Sequence, residues 1–315
     1  VRVKSRTPDD AIIVARYQRY FFSNASNMLT HLGIYAMHVI ARLPLPLIRA
    51  AGYALGRLIH FFAADRRRVV STNIQLCFPQ LSAAQQHAMV IATFVHVAQA
   101  WLDRSWLWHG TAMQTRSRLR VVGAVDELAD PQPIVLFAPH FVGLDAGWTA
   151  LTQQVPRPMS SIYTRQRNPT IDSWIFRGRK RFGNPQLFER REGARTIVSS
   201  LRSGQMLYLL PDMNFGPQES VFVPFYGIPT ATLTSLSRFA RAGRAKVIPV
   251  TTCMTRNGYD VRIHPAWPAF AGSDLVSDAA LMNSRLQAYI DAMPDQYYWV
   301  HRRFKTRPAG SPPVY

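Results

Sequence analysis

The chain has 315 residues, nearly half of them hydrophobic, which is ample for a buried core and excludes disorder over most of its length. Lysine and arginine total 37 against 18 acidic residues, so the net charge of +19 favours anionic partners: a membrane surface, a phosphorylated lipid, an acidic carrier protein or nucleic acid. The absence of zinc-finger spacing, an RNA-binding signature or aromatic–basic repeats argues against nucleic acid, and Cys77 and Cys253 are too far apart to imply a metal site or a disulfide framework.

Residues 1–20 are mixed, basic and weakly periodic, and residues 1–27 together read as a poorly defined N-terminal extension with no assigned role. From Phe21 to Ala41 no formally charged side chain occurs, a length near the roughly 20 residues that span a bilayer. His31, His38, Asn24 and Asn27 dilute that signal, and Pro44 and Pro46 end it. A helix lying in the membrane interface is the competing reading. A second helix is expected over Leu47 to Ala64, so residues 28–64 read as membrane-anchoring or interfacial helices and 65–315 as the main domain. Residues 82–108 have helical spacing and end in Trp101, Trp106 and Trp108, a cluster suited either to a membrane interface or to a packed corner.

From about residue 119 the pattern becomes alternating strands and helices. Strands are expected at Ile134–Ala138, Ser160–Thr164, Gln205–Leu210 and Lys246–Val250, and an edge strand at Tyr259–His264. Helices are expected at Asp145–Gln154, Ile171–Phe182, Arg195–Ser203, Thr232–Ala242 and Asp278–Met293. Apolar strands separated by helices predict an α/β fold with a sheet covered on both faces.

The segment Phe137-Ala138-Pro139-His140-Phe141-Val142-Gly143-Leu144-Asp145 carries the strongest chemical signal. A buried strand ends, a histidine follows, and an acid opens the next helix. Ligand sites in covered α/β sheets gather at the carboxyl ends of strands. Positions five apart on a regular helix diverge by about 140°, so the pair is expected to meet through a sharp turn at Gly143. Asp145 would then hold the imidazole, and His140 would take a proton from an attacking hydroxyl. A lone His near a helix start more often caps or packs, so further constellations matter. Tyr208-Leu209-Leu210-Pro211-Asp212 repeats the strand-then-acid logic and places Asp212 at the same sheet edge. The stretch Arg165 to Arg195 is rich in arginine and lysine, and one or two of these aimed into a cleft would grip an anionic substrate; Arg165 is a candidate. No serine or cysteine adjoins His140 in sequence, so the simplest mechanism lets the acceptor hydroxyl attack directly.

His140 with Asp145 matches the His-x-x-x-x-acid motif of glycerolipid acyltransferases. More specifically, the chain from about residue 28 to 315 resembles the lipid A biosynthesis lauroyl/myristoyl acyltransferases. The resemblance rests on three blocks. The first is Arg68-Val69-Val70-Ser71-Thr72-Asn73-Ile74-Gln75-Leu76-Cys77-Phe78-Pro79. The second is Pro211-Asp212 to Gly216-Pro217 with Ser220-Val221-Phe222-Val223-Pro224-Phe225. The third is Tyr298-Trp299-Val300-His301-Arg302-Arg303-Phe304-Lys305-Thr306-Arg307-Pro308. Thr164-Arg165-Gln166-Arg167 departs from the family's usual Arg-Pro pair, and residues 1–27 exceed what the family places before its anchor.

The resemblance implies a central mixed sheet flanked by helices, of the glycerolipid-acyltransferase type, with N-terminal membrane-anchoring helices. It implies His140 and Asp145 as the catalytic pair, with Arg179 and Asp212 serving the active site. It further implies transfer from acyl-acyl carrier protein to a hydroxyl of the phosphorylated glycolipid acceptor Kdo(2)-lipid IV(A), without metal or cofactor. The expected place is the cytoplasmic face of the inner membrane, single-pass or monotopic, on an anionic membrane surface. Two alternatives stand beside it. One is acylation of a lysophospholipid, an ornithine lipid or another glycolipid, and the other is a non-catalytic basic protein that binds membrane or nucleic acid.

Overall fold

A computed structural model describes residues 28–272 and 274–315. The expectation for residues 1–27 lies outside them, as does the first part of the uncharged run from Phe21.

The N-terminal part is helical: α1 covers residues 28–40, α2 Leu45–Phe62, α3 Ala64–Cys77, α4 Ala83–His109 and α5 Ala112–Ser117. Pro44 and Pro46 separate α1 from α2, as proline at a helix start does. A reciprocal pair of bonds between Ser82 and Gln85 caps α4. Deeper along α4, the buried Asp103 accepts hydrogen bonds from Trp106 Nε1 at 2.9 Å and Tyr259 Oη at 2.6 Å, and pairs with Arg49 at 3.1 Å. That cluster ties α2 and α4 to the sheet. Trp106 and Trp108 are buried in this corner, whereas Trp101 is 45 % exposed.

The rest builds a seven-stranded mixed sheet in the order β1-β9-β8-β2-β5-β3-β4. Its strands are β1 Leu119–Gly123, β2 Ile134–Phe137, β3 Met159–Tyr163, β4 Gln186–Glu189, β5 Met206–Leu209, β8 Lys246–Thr255 and β9 Gly258–Ile263. β8, β2, β5, β3 and β4 run parallel, and β9 turns back antiparallel to β8. Between strands come α6 Leu144–Gln154, α7 Pro169–Arg179, α8 Ala194–Arg202 and α9 Ser235–Gly243, with α10 Leu275–Asp291 near the end. A separate hairpin, β6 Ser220–Phe225 with β7 Ile228–Leu233, is held to α10 through Asn283, which donates to Pro224 O and Thr232 Oγ1.

Successive strand residues face opposite sides, so the sheet divides two cores. Val135, Phe137, Leu207, Leu209 and Val247 join the core containing Ile197 of α8 and Phe239 of α9. Ile134, Leu136, Met206, Tyr208 and Ile248 join the core containing Trp148 of α6 and Trp174 of α7. Helices therefore cover both faces, as the apolar strands predict.

Two expectations are corrected. Tyr259–His264 is not at an edge, because β1 pairs beside it and is itself the edge strand. The expected helix from Thr232 begins only at Ser235, since the β-branched residues before it extend the β6–β7 hairpin. Among the described residues no helix is long and apolar enough to cross a membrane. Both N-terminal helices nevertheless leave apolar side chains uncovered: Met28, Leu32, Tyr35 and Val39 on α1, and Leu47, Leu58, Phe61 and Phe62 on α2.

Candidate active site

His140 follows β2 by three residues and reaches the carboxyl edge of the sheet, where its side chain is one-fifth exposed. β5, the strand beside β2, carries the chain to Asp212 at the same edge. Asp212 is fully buried and accepts from both the ring and the backbone of His140: Nδ1 to Oδ1 at 2.7 Å, and N–H to Oδ2 at 2.9 Å. Tyr297 Oη donates to Oδ2 at 2.9 Å. Burial by itself would raise the carboxyl pKa. The opposing charge of His140 and these hydrogen bonds outweigh it and hold Asp212 down at about 2. Asp212 is therefore an ionised anchor that fixes the imidazole with Nδ1 as the donor. Nε2 has no protein partner among the described residues.

Asp145, on the first turn of α6, belongs to a second constellation. Arg104 of α4 reaches its Oδ2 through both Nε and Nη2 at 2.7 Å, and Arg179 of α7 reaches Oδ1 through Nε at 3.0 Å. Burial pushes this carboxyl up as well, but the two guanidinium charges dominate and bring it to about 2. Arg104 lies over Trp101 and Trp108, with Cζ 4.5 and 5.6 Å from the ring centres, and Trp148 Nε1 donates to Arg179 O at 2.7 Å. Gly178 lets α7 come close enough: a Cβ there would lie 2.3 Å from the Trp108 ring.

The two constellations meet at a cavity of about 410 Å³ whose lining includes His140, Asp145 and Arg179. On the α6–α7 face of the sheet it is lined by Asp145, Trp148, Arg179 and Tyr208. On the α8–α9 face it is lined by Ile162, Ile197, Leu209 and Phe239. One lobe is thus cationic and aromatic, the other apolar. Among the described residues no hydroxyl or thiol group of serine or cysteine bonds to His140, although Ser161 and Ser235 line the same cavity.

Residues 19–306 match the family described as bacterial lipid A biosynthesis acyltransferase. The chain belongs to the lipid A biosynthesis acyltransferase family. It is 30 % identical over 293 residues to the lipid A biosynthesis lauroyltransferase of Escherichia coli K12, covering 91 % of this chain and 94 % of that one. It is 29 % identical over 296 residues to the palmitoleoyltransferase of the same organism, with the same two coverages. To its myristoyltransferase it is 28 % identical over 285 residues, covering 89 % and 87 %. Relatives named for three different acyl chains stand at nearly equal identity, so overall similarity does not choose a chain length for this acyltransferase.

Within the acyltransferase, the structure redistributes the residues singled out from sequence. His140, Asp145, Arg179 and Asp212 all gather at one sheet edge, but the pairing differs from that expected. The partner of His140 is Asp212, and Asp145 is taken up by Arg104 and Arg179. The chain does turn at Val142 and Gly143, closed by Leu144 N–H donating to Phe141 O at 3.1 Å, but the turn does not bring Asp145 to His140, and the φ of Gly143, −79°, is open to any residue. Glycine is needed there because a Cβ would lie 2.7 Å from Thr252 Cγ2. Arg165 is not in the cavity lining. Its side chain is 63 % exposed and pairs with Glu189 at the rim. The backbone N–H groups of His140, Phe141, Val142 and Leu144, just after the strand, are committed to Asp212, Pro139, Gln296 and Phe141.

Sequence reasoning missed Arg104 and Tyr297. Arg104 has one retrospective signal, a charge set inside the apolar run Trp101-Leu102-Asp103-Arg104-Ser105-Trp106-Leu107-Trp108. Tyr297 directly precedes the C-terminal block, and nothing in its local pattern marks it.

Proposed function

We propose that the protein moves a fatty acyl chain from acyl carrier protein to a hydroxyl of a Kdo-modified lipid A precursor, Kdo(2)-lipid IV(A), with His140 as general base. The observation that carries this reading is one imidazole whose Nδ1 is fixed by a buried carboxylate and which lines a cavity with a guanidinium lobe and an apolar lobe.

In this mechanism neutral His140 accepts the acceptor's hydroxyl proton at Nε2 as the oxygen attacks the thioester carbonyl. Asp212 stabilises the imidazolium that forms. The new C–O bond forms, the C–S bond breaks, and His140 returns the proton to the departing thiolate. Arg179, steered by Asp145, supplies positive charge from the cationic lobe to the developing oxyanion or to a substrate phosphate. The apolar lobe takes the acyl tail out of water, a gain of about 0.8 kcal/mol per buried methylene.

Residues 28–64 are the membrane-facing part in this reading and 65–315 the acyltransferase domain. The exposed apolar side chains of α1 and α2, with Phe61 and Phe62 each 71 % exposed, fit a monotopic seat in the interface. The basic run Arg66-Arg67-Arg68 follows them directly and suits the anionic cytoplasmic face of the inner membrane.

The test is an assay of purified protein with carrier-bound chains of several lengths and lipid A precursor, read by product mass. Transfer is expected to fall about 100-fold or more in His140→Ala while the fold is kept. Near-normal transfer by that variant removes the base, and product formed only on a lysophospholipid removes the acceptor.

A further inference from the structure

The proposed chemistry uses His140, Asp212, Asp145 and the arginines but leaves Tyr297 unassigned. Its ring is buried, and its hydroxyl donates to Asp212 Oδ2 at 2.9 Å. The same oxygen accepts the backbone N–H of His140, which leaves Oδ1 for the imidazole at 2.7 Å. A carboxylate rotates softly about its last torsion, so such donors decide which way its oxygens point.

The backbone around Tyr297 serves the same end. It runs antiparallel along the His140 loop: Val142 N–H donates to Gln296 O at 2.8 Å, Tyr298 N–H donates to His140 O at 2.9 Å, and Phe141 bridges to Tyr297. A little further on, Asn214 N–H donates to His301 Nε2 at 2.9 Å, and Thr306 Oγ1 donates to Asn214 Oδ1 at 2.8 Å. One C-terminal segment therefore grips both the loop that carries the base and the loop that carries its carboxylate.

We propose that Tyr297 is a positioning residue for acyl transfer, its hydroxyl orienting the Asp212 carboxylate that in turn orients His140. The proposal rests on the reading of His140 as general base. Removing the hydroxyl frees the carboxylate to rotate and also strips it of a donor. A carboxylate with fewer donors is more basic and stabilises the imidazolium more strongly. The acidic limb of the rate profile then moves to higher pH while the plateau falls. Other groups around the pair leave that limb alone. Burial and nearby Arg303 hold His301 down at about 4, and burial pushes the Cys77 thiol up.

The experiment is a pH profile of kcat and KM for Tyr297→Phe, which keeps the ring against Phe141 and Trp299. We expect kcat to fall about tenfold, both KM values to stay within about twofold, and the acidic limb to shift upward. Trp299→Phe, which removes the Trp299 Nε1 bond to Pro294 O in the same segment, serves as the structural control. It should lower the melting temperature and leave the limb in place. If Tyr297→Phe folds poorly, 3-fluorotyrosine placed at position 297 keeps the shape with a stronger donor and should move the limb the other way. A wild-type plateau and limb in Tyr297→Phe, or an unmoved limb with fluorotyrosine, overturns the positioning role. Retained transfer in His140→Ala overturns the base assignment instead, so the two failures are told apart.

Discussion

Asp145 and Asp212 sit at the same edge of the same sheet, are both buried, and are both held near pKa 2, yet they belong to different machines. Asp212 meets a histidine, a tyrosine and a backbone N–H; Asp145 meets two guanidinium groups. The difference is one of elements. β2 and β5 are hydrogen-bonded neighbours, so the loops after them arrive side by side, whereas Asp145 has already turned into α6 and faces α4 and α7. Closeness in sequence thus points to a carboxylate that does not bond His140, and adjacency of strands brings in the one that does.

The contrast can be pressed experimentally from its cationic side. Asp145→Ala leaves Arg104 and Arg179 facing each other without a carboxylate. The expected result is a loss of about 3–5 kcal/mol in unfolding free energy. KM for the lipid acceptor should rise more than about tenfold, with kcat much less affected. A collapse of kcat at unchanged KM would place Arg179 on the developing oxyanion instead of on a substrate phosphate. Gly178→Ala is milder. The added methyl pushes α7 off Trp108, costing about 1–3 kcal/mol, and should raise KM several-fold because Arg179 moves with the helix.

Acid titration compares the two sites with their surroundings. Both carboxyls are depressed from 3.8 to about 2, so their stabilisation is complete above pH 3.8 and lost as pH falls through about 2. His109 and His301 are depressed, chiefly by burial, from 6.5 to about 4; their contribution is complete above 6.5 and lost on the way down to about 4. Melting temperatures should therefore decline first between pH 6.5 and 4, and His109→Phe should flatten that part alone. An unchanged slope would mean that burial of His109 does not govern this region. The smallest effect belongs to Arg165→Ala. Its exposed pair with Glu189 is worth at most about 1 kcal/mol, and kcat/KM should stay within about threefold. A larger loss would bring Arg165 into contact with substrate.

Much of the fold could be read because its signals are local. The apolar strands at Ile134, Ser160, Gln205 and Lys246 and the long helix ending in three tryptophans lie close to where periodicity puts them. The hairpin and both edge strands, β1 and β4, were not anticipated, since short half-buried strands with mixed polarity carry little period-two contrast. At the site, residue types were legible and pairing was not. Which carboxylate meets His140 depends on strand order, and strand order is a long-range property of the sheet. Arg104 and Tyr297 lie 36 and 157 residues from His140 in sequence, and only the packing of α4 and of the C-terminal segment brings them in.

The most direct measurement is a pair of double-mutant cycles on kcat, combining His140→Ala once with Asp212→Asn and once with Asp145→Asn, with melting curves to confirm the fold. Groups acting as one unit are strongly non-additive. Asp212→Asn should therefore slow the wild type severely and add almost nothing once His140 is gone, while Asp145→Asn should have the same proportional effect in both backgrounds. Strong coupling of His140 to Asp145 with none to Asp212 would contradict the pairing on which the proposed chemistry is built.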